Sequence, residues 1–202
     1  MTQPNTRSEL ERHEVTPELV QAFVDYDAET GQLTWKQRDA MWFNKGRRGA
    51  EASALRWNKR YAGMPAFTTT NSHGYKHSSI FGFKFKAHRV AWACHHGEWP
   101  ENEIDHINGD KTDNRLVNLR AVTALENCKN KRRQKNNTSG ATGVLAARSG
   151  GWVAYIKHNR KSISLGRFDS KQDAIAARKA AEKKFGYHKN YGRDHILTEQ
   201  DQ

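Results

Sequence analysis

The apolar residues of this chain fall into successive rhythms, separated by stretches that have none. Between Thr16 and Val24, the positions Leu19, Val20, Phe23 and Val24 recur at helical spacing. Thr16 can cap that helix and Pro17 can take its first position, so a helix is expected through Val24. Tyr26-Asp27 and Gln32-Leu33-Thr34-Trp35 flank Glu29-Thr30-Gly31, the pattern of a hairpin around a turn. From Tyr75 the period drops to two: Tyr75, His77, Ser79, Phe81, Phe83 and Phe85 alternate with other residues, and Lys84 and Lys86 take the face opposite the phenylalanines. Ala87 to His95 returns to helical spacing with Val90, Ala91 and Cys94 inward, and Gly97 ends the helix. His88 on this helix is expected to be a packed, hydrogen-bonded side chain, and His95 and His96 are expected in solvent.

Residues 38–64 follow no clean period and mix aromatics with Arg and Lys. Such a segment either grips a nucleic-acid backbone and stacks on bases, or forms an irregular loop whose Trp42, Phe43 and Trp57 fill a local core. The stretch from Glu103 to Asn127 reads as strand, long polar loop, strand and helix. Its loop is rich in the turn formers Gly, Asp and Asn. Leu116 to Val122 is apolar again, and Thr123 with Glu126 forms a capping box that starts a helix at Ala124. Residues 141–187 predict a second unit. Gly143-Val144-Leu145, Trp152 to Ile156 and Ser162 to Leu165 read as three short strands, with turns at Ser149-Gly150-Gly151 and Asn159-Arg160-Lys161. Ser170 and Asp173 then open a helix whose Ala174, Ala177, Ala181 and Phe185 share one face. The fold class is α+β.

With 202 residues, of which 36% are hydrophobic, the chain has room for one domain or two small ones with modest cores. No stretch approaches the roughly 18 apolar residues needed to span a bilayer, and the first residues lack the apolar centre of a signal peptide. The two cysteines, Cys94 and Cys128, support neither a disulfide framework nor a structural zinc site. A reducing, cytoplasmic setting is expected.

Charge changes the picture more than composition does. Residues 1–126 carry 17 Lys and Arg against 16 Asp and Glu, whereas residues 127–193 carry 17 against Asp169, Asp173 and Glu182 alone. The net charge of +12 is therefore an excess of the C-terminal third. Basic asymmetry of this kind suits a polyanion. The basic segments lack the Trp- and Leu-rich face that would enter a membrane, so nucleic acid is the expected partner and no membrane is. No protein partner is implied.

Candidate chemistry centres on Asp105, His106 and Asn127. A hard cation such as magnesium takes oxygen ligands and keeps several waters, so a carboxylate and an amide oxygen, those of Asp105 and Asn127, are a sufficient protein share. An imidazole with an ordinary pKa of about 6.5 suits a base that activates water. Neighbours on a strand point to opposite faces, so Asp105 and His106 share a site only if the strand distorts or ends near Asn108-Gly109.

Residues 88–130, HRVAW…GEWP..EIDHINGDKTDNRLVNLRAVT..EN..N, resemble the HNH nuclease motif of phage and intron-encoded homing endonucleases. The YD..TG.L.WK pattern upstream is also common in phage endonucleases. The resemblance implies a ββα-metal core around one divalent ion, Mg2+ or Mn2+. It makes His106 the general base, Asp105 and Asn127 the metal ligands, and Asn118 the residue that holds the loop and supports the base. Asn127 stands where many members carry a second histidine. The pattern G.TGV…GGWVAYIKHNRKSISLGRFDSKQDAIAARKAA resembles the Apetala-type DNA-binding domain of ethylene-response factors, which presents its sheet to the major groove. By that resemblance Arg148, Trp152, Lys157, Arg160 and Arg167 are candidate DNA contacts.

The expected organisation is a flexible N-terminus at 1–14, a nuclease domain at 15–130 with its core at 88–130, and a basic linker at 131–140. An Apetala-like domain at 141–193 and a tail at 194–202 follow. The expected activity is metal-dependent hydrolysis of double-stranded DNA, as a nick or a double-strand break, by a phage homing enzyme in the cytoplasm of a bacterial host. The alternative is a non-catalytic DNA-binding protein that uses its C-terminal domain.

Overall fold

The computed structural model describes residues 11–43 and 49–194. Residues 1–10 of the flexible terminus expected at 1–14, residues 195–202 of the tail expected at 194–202, and residues 44–48 of the aperiodic segment lie outside them. The described residues form two compact units, one comprising 11–106 and 110–121 and the other 107–109 and 122–194.

The first unit begins with a turn at Arg12–Glu14 and the short helix α1, Pro17–Gln21, capped by Thr16. The helix stops well before Val24. Val24–Tyr26 is instead strand β1, antiparallel to β2, Leu33–Trp35. Val20, Phe23 and Val24 are all buried, so their spacing reported burial correctly; the register with Trp35 takes Val24 out of the helix. Helix α2, Ala50–Tyr61, is the element that hydrophobic period did not predict. Leu55 faces solvent on it, while Trp57 meets Trp35, Phe43 and Tyr61. The aromatics of this region do fill a local core: Trp42 lies edge-on to Phe23 at 4.8 Å.

Strands β3, Thr69–Thr70, β4, Lys76–Ile80, and β5, Phe83–Lys86, form an antiparallel sheet in that order. Phe81 and Gly82 make its tight turn with φ of 52° and 82°, which takes Phe81 out of the strand alternation. Helix α3, Ala87–His96, follows at once and ends on Gly97, whose φ of 73° is the left-handed cap that glycine favours. Val15, Phe23, Phe67, Ile80 and Val90 are nearly sealed in the main core, each contributing roughly 2 kcal/mol by burial. Ala91, Ile104 and Leu119 make a smaller cluster with Tyr26 and Trp92. It joins α3 to the paired strands β6, Glu103–His106, and β7, Leu119–Val122. Val117, read as part of an apolar run, is 81% exposed on a turn at Leu116–Asn118. The loop bends there before β7 begins.

The second unit carries helix α4, Ala124–Cys128, with the predicted reciprocal box between Thr123 and Glu126. It also carries a three-stranded antiparallel sheet of β8, Val144–Ala146, β9, Trp152–His158, and β10, Lys161–Phe168. Helix α5, Lys171–Lys184, packs on that sheet. Asn159 and Arg160 both have positive φ, the two-residue turn whose twist matches a hairpin. Ser170 caps α5 by accepting from Asp173 N at 3.1 Å. Ala174 and Ala181 are buried on the sheet side, as the alanine face predicts. A Cβ at Gly143 would lie 2.5 Å from the Tyr155 carbonyl, so β8 can approach β9 there only as glycine. The stretch expected as a linker is bonded within this unit: Gly192 N donates to Lys131 O, and Arg133 N to Arg193 O.

Candidate active site

His106 ends β6 and is 3% exposed. Its Nε2 lies 3.1 Å from Asn114 Oδ1. The hairpin β1–β2 positions Asn114. Tyr26 donates its hydroxyl to Asn114 O at 2.8 Å, and Leu116 N donates to Ala28 O at 3.0 Å. A Cβ at Gly31 would sit 2.5 Å from the Asn114 carbonyl carbon, so the hairpin turn can lie against this segment only as glycine. Asn118 holds the same loop from its other end, donating Nδ2 to Asp113 O at 2.8 Å.

An oxygen acceptor at Nε2 favours the tautomer that carries its proton there and leaves Nδ1 with the lone pair. Burial holds the His106 pKa below its ordinary 6.5, while the Asn114 bond and the carboxylates of Asp105, Asp110 and Asp113 pull upward. The ring is therefore mainly neutral at neutral pH, the form a base requires.

Two aromatic neighbours were not singled out as functional from the sequence. The Tyr75 ring is 6.0 Å from the His106 ring and 5.0 Å from His88, and His88 meets His106 edge-on at 5.1 Å. Burial, with smaller contributions from His106, Lys86 and Arg89, pushes the His88 pKa down to about 3. His88 is thus a packed neutral ring, as expected. Lys86 and Lys111 place their ammonium groups 4.7 and 4.8 Å from the Tyr75 ring centre.

Asp105, next in the chain, reaches a different partner, as neighbours on a strand do. Its Oδ2 accepts from Arg120 Nε at 3.0 Å and Nη2 at 2.7 Å. Arg120 on β7 was read only as a strand residue. A buried carboxylate is a hard oxygen donor suited to a divalent ion that keeps its waters, although a cation there would meet the charge of Arg120. Among the described residues, no group of three or more His, Cys, Asp and Glu is arranged to hold a metal. Asn127 lies half-buried on α4 in the second unit.

Residues 85–129 match the family model described as HNH endonuclease. This segment is similar to HNH endonuclease domains. The chain is accordingly a DNA endonuclease, a phosphodiester hydrolase. No curated protein and no solved structure matches the chain. No helix among the described residues is long and apolar enough to cross a membrane.

Within the second unit, Ile107 to Gly109, the three residues that follow His106 in the HNH segment, are held by side chains far away in sequence. Asn190 Nδ2 donates to Ile107 O at 2.9 Å, and Arg132 Nη2 donates to Gly109 O at 2.6 Å. A Cβ at Gly109 would run into the Arg193 guanidinium at 1.5 Å. No local spacing could have signalled these partners.

The five candidate DNA contacts do not share a surface. Trp152 is in phase with Ala154 on β9 and, partly buried, packs against the core cluster of Val144, Ala154 and Ala174. It therefore faces the helix side, which corrects its place among the sheet contacts. Lys157, opposite Ser162, and Arg167, opposite Val153, lie on the other face. Arg167 also donates to the carbonyls of Ser149 and Gly150 and so fastens the β8–β9 turn. Arg148 is exposed beside the β8–β9 turn, and Arg160 is exposed within the β9–β10 turn.

Proposed function

We propose that this endonuclease hydrolyses double-stranded DNA with His106 as general base, in the manner of the phage and intron homing enzymes its motif resembles. The observation that carries the proposal is the buried imidazole of His106 held by Asn114 inside the matched HNH segment. In this mechanism Nδ1 takes a proton from water, and the oxygen attacks the backbone phosphorus as the 3′ oxygen departs. Asn114 accepts from Nε2–H and keeps the ring turned, while Asn118 fixes the loop that carries Asn114.

Asp105 and Asn127 are the proposed ligands of one divalent ion, Mg2+ or Mn2+. When bound, such an ion stabilises the charge that develops on the phosphoryl and leaving oxygens. The proposal includes the domain scheme of a ββα-metal core followed by an Apetala-like reader. In that reader, Lys157 with Arg148, Arg160 and Arg167 would contact DNA, without Trp152. A phage origin and a bacterial host belong to the same reading.

The test is cleavage of supercoiled plasmid with and without Mg2+, with His106→Ala beside the wild type. Metal-dependent nicking or linearisation that falls about 1,000-fold in the variant is expected, since a positioned base contributes roughly 100- to 10,000-fold. Unchanged cleavage by His106→Ala at saturating metal and DNA would remove His106 from the mechanism. Tight duplex binding without cleavage across several metals would instead favour a non-catalytic DNA-binding protein.

A further inference from the structure

A cleft of the first unit, about 690 Å3, lies outside the residues assigned to catalysis. Its walls bring together Arg12, Lys84, Lys86 and Arg89, with Phe85 and Trp99 among its lining residues. The two rings are stacked 5.3 Å apart and within 10° of parallel, and Trp99 Nε1 donates to Val15 O at 2.8 Å. Arg12 lies over the Phe85 ring at 5.3 Å. The aromatic pair therefore gives Arg12 a fixed support.

Among the described residues, no carboxylate pairs with any of the four cations. Glu11, the one acid in the cleft wall, faces His13 at 3.3 Å. Arg89 is anchored by the carbonyls of Pro100 and Asn102, which leaves its charge uncompensated. Its pKa is lowered by burial and by the neighbouring charge of Arg12, the mark of like charges held together. Lys86 belongs both to the cleft wall and to the ring cluster around Tyr75, whose neighbours include His106. The cleft thus adjoins the proposed base through a single side chain.

We propose that this cleft binds the phosphate backbone of the DNA substrate on the side of Lys86 remote from His106. The inference rests on the nuclease reading for the identity of the polyanion. Successive phosphates of one strand would pass from the scissile position over Lys86 to Lys84 and Arg12. Stacked Phe85 and Trp99 keep Arg12 preorganised. Such contacts set affinity and register without reading sequence. The C-terminal basic third would then not be the whole of the DNA-binding surface, even though residues 1–126 are nearly neutral in sum.

The test uses the full chain and a 5′-fluorescein 30-base-pair duplex in EDTA, with binding followed by anisotropy across a sodium chloride series. Arg12→Gln/Lys84→Gln alters two exposed side chains and should leave the melting temperature unchanged. Each phosphate contact adds about 0.9 to the slope of log K against log salt, so the double variant should lose about 1.8 and bind at least about 10-fold more weakly at low salt. Lys84→Gln alone should lose about half of that. Arg56→Gln/Lys59→Gln, on exposed positions of α2, removes equal charge elsewhere on the same unit and should change the slope by much less.

An unchanged slope in the cleft variant, or an equal loss in the α2 variant, would overturn the proposal. Plasmid cleavage by the wild type is scored in parallel. Normal cleavage with an unchanged slope removes the cleft alone. A slope reduced only by the cleft variant, in a protein that cleaves nothing with any divalent metal, removes the nuclease reading and leaves the cleft as a DNA site.

Discussion

Each unit contains a carboxylate–arginine pair whose carboxylate is shielded, Arg178–Glu182 and Arg120–Asp105, and these two pairs differ in what else the arginine touches. In the second unit, Arg178 binds Glu182 through Nε at 3.0 Å, donates Nη1 to Tyr155 O at 2.6 Å, and lies beside the rings of Tyr187 and Tyr191. Its side chain is 3% exposed. In the first unit, Arg120 directs both of its bonds to one oxygen of Asp105, and its side chain is 32% exposed. The first arginine knots a helix, a strand and a C-terminal turn together. The second holds a carboxylate while remaining open to solvent. Burial of a charge pair by itself therefore does not separate scaffold from chemistry; the remaining contacts of the guanidinium do.

The largest effect should come from breaking the knot. Arg178→Ala leaves shielded Glu182 with only the half-exposed Lys179, at 2.8 Å, and the Tyr155 carbonyl short of a donor. Removing one member of a buried pair costs about 3–5 kcal/mol, enough to unfold a small unit. Urea unfolding with hydrogen exchange should show α5 and β9 losing protection first. Replacing the pair together, as Arg178→Met/Glu182→Leu, should recover most of the loss, because apolar residues of similar volume often replace such pairs at no net cost. A full loss in the double variant would mean that the Tyr155 bond and the tyrosine rings, not the charge pair, carry the stability.

Acid should act on the first unit through His88. Its pKa in the folded state is about 3, against 6.5 for the ordinary group, so the unfolded chain binds its proton first as pH falls. The associated stability is complete above pH 6.5 and declines as pH drops from there toward 3. By pH 4.5 this amounts to about 2–3 kcal/mol. The urea midpoint should fall accordingly between pH 7.5 and 4.5, and His88→Leu should remove that share of the slope. A variant with the wild-type pH slope would show that His88 finds a proton acceptor on the folded protein.

Arg120→Gln is expected to do less, and to do it elsewhere. Taking a positive charge away from Asp105 should tighten Mn2+ binding several-fold, about 1 kcal/mol, measured calorimetrically on the DNA-free protein. Weaker binding would show that Arg120 orients the carboxylate as a supporting ligand does. That outcome would make the two arginines more alike than their exposures suggest.

The sequence spoke clearly where local rules were enough. The turn at Asn159-Arg160, the Thr123 and Ser170 caps, the alanine face of α5 and the Gly97 stop depend on a few adjacent residues, and all stand in the structure. Helix α2 was hidden because it packs mainly through Trp57, Ala50 and Ala54 while Leu55 faces solvent, so its apolar residues show no period. At the site, the DH…N…N spacing drew attention to His106 and Asn118. Asn114 looked like one more turn former in a polar loop. Its burial depends on the β1–β2 hairpin, more than 80 residues earlier in the chain. Tyr75 and His88 reach His106 only through tertiary packing.

The smallest predicted effect compares two helices that start alike. Thr123 Oγ1 accepts from Glu126 N at 3.3 Å with the reciprocal bond present, and Ser170 Oγ accepts from Asp173 N at 3.1 Å. Either hydroxyl removed as alanine should cost about 1 kcal/mol. In α5, 14 residues long and seated through Ala174 and Ala181, that loss is shared by a packed element. α4 has five residues, none of them buried, and is too short to hold itself. Thr123→Ala should therefore release the Asn127 amide, bonded to Thr123 O at 2.9 Å, and speed its exchange about 5-fold. Ser170→Ala should leave the middle of α5 as protected as before, apart from the global loss. Equal local effects would mean that α4 is held by packing rather than by its cap. The placement of Asn127 would then not depend on Thr123.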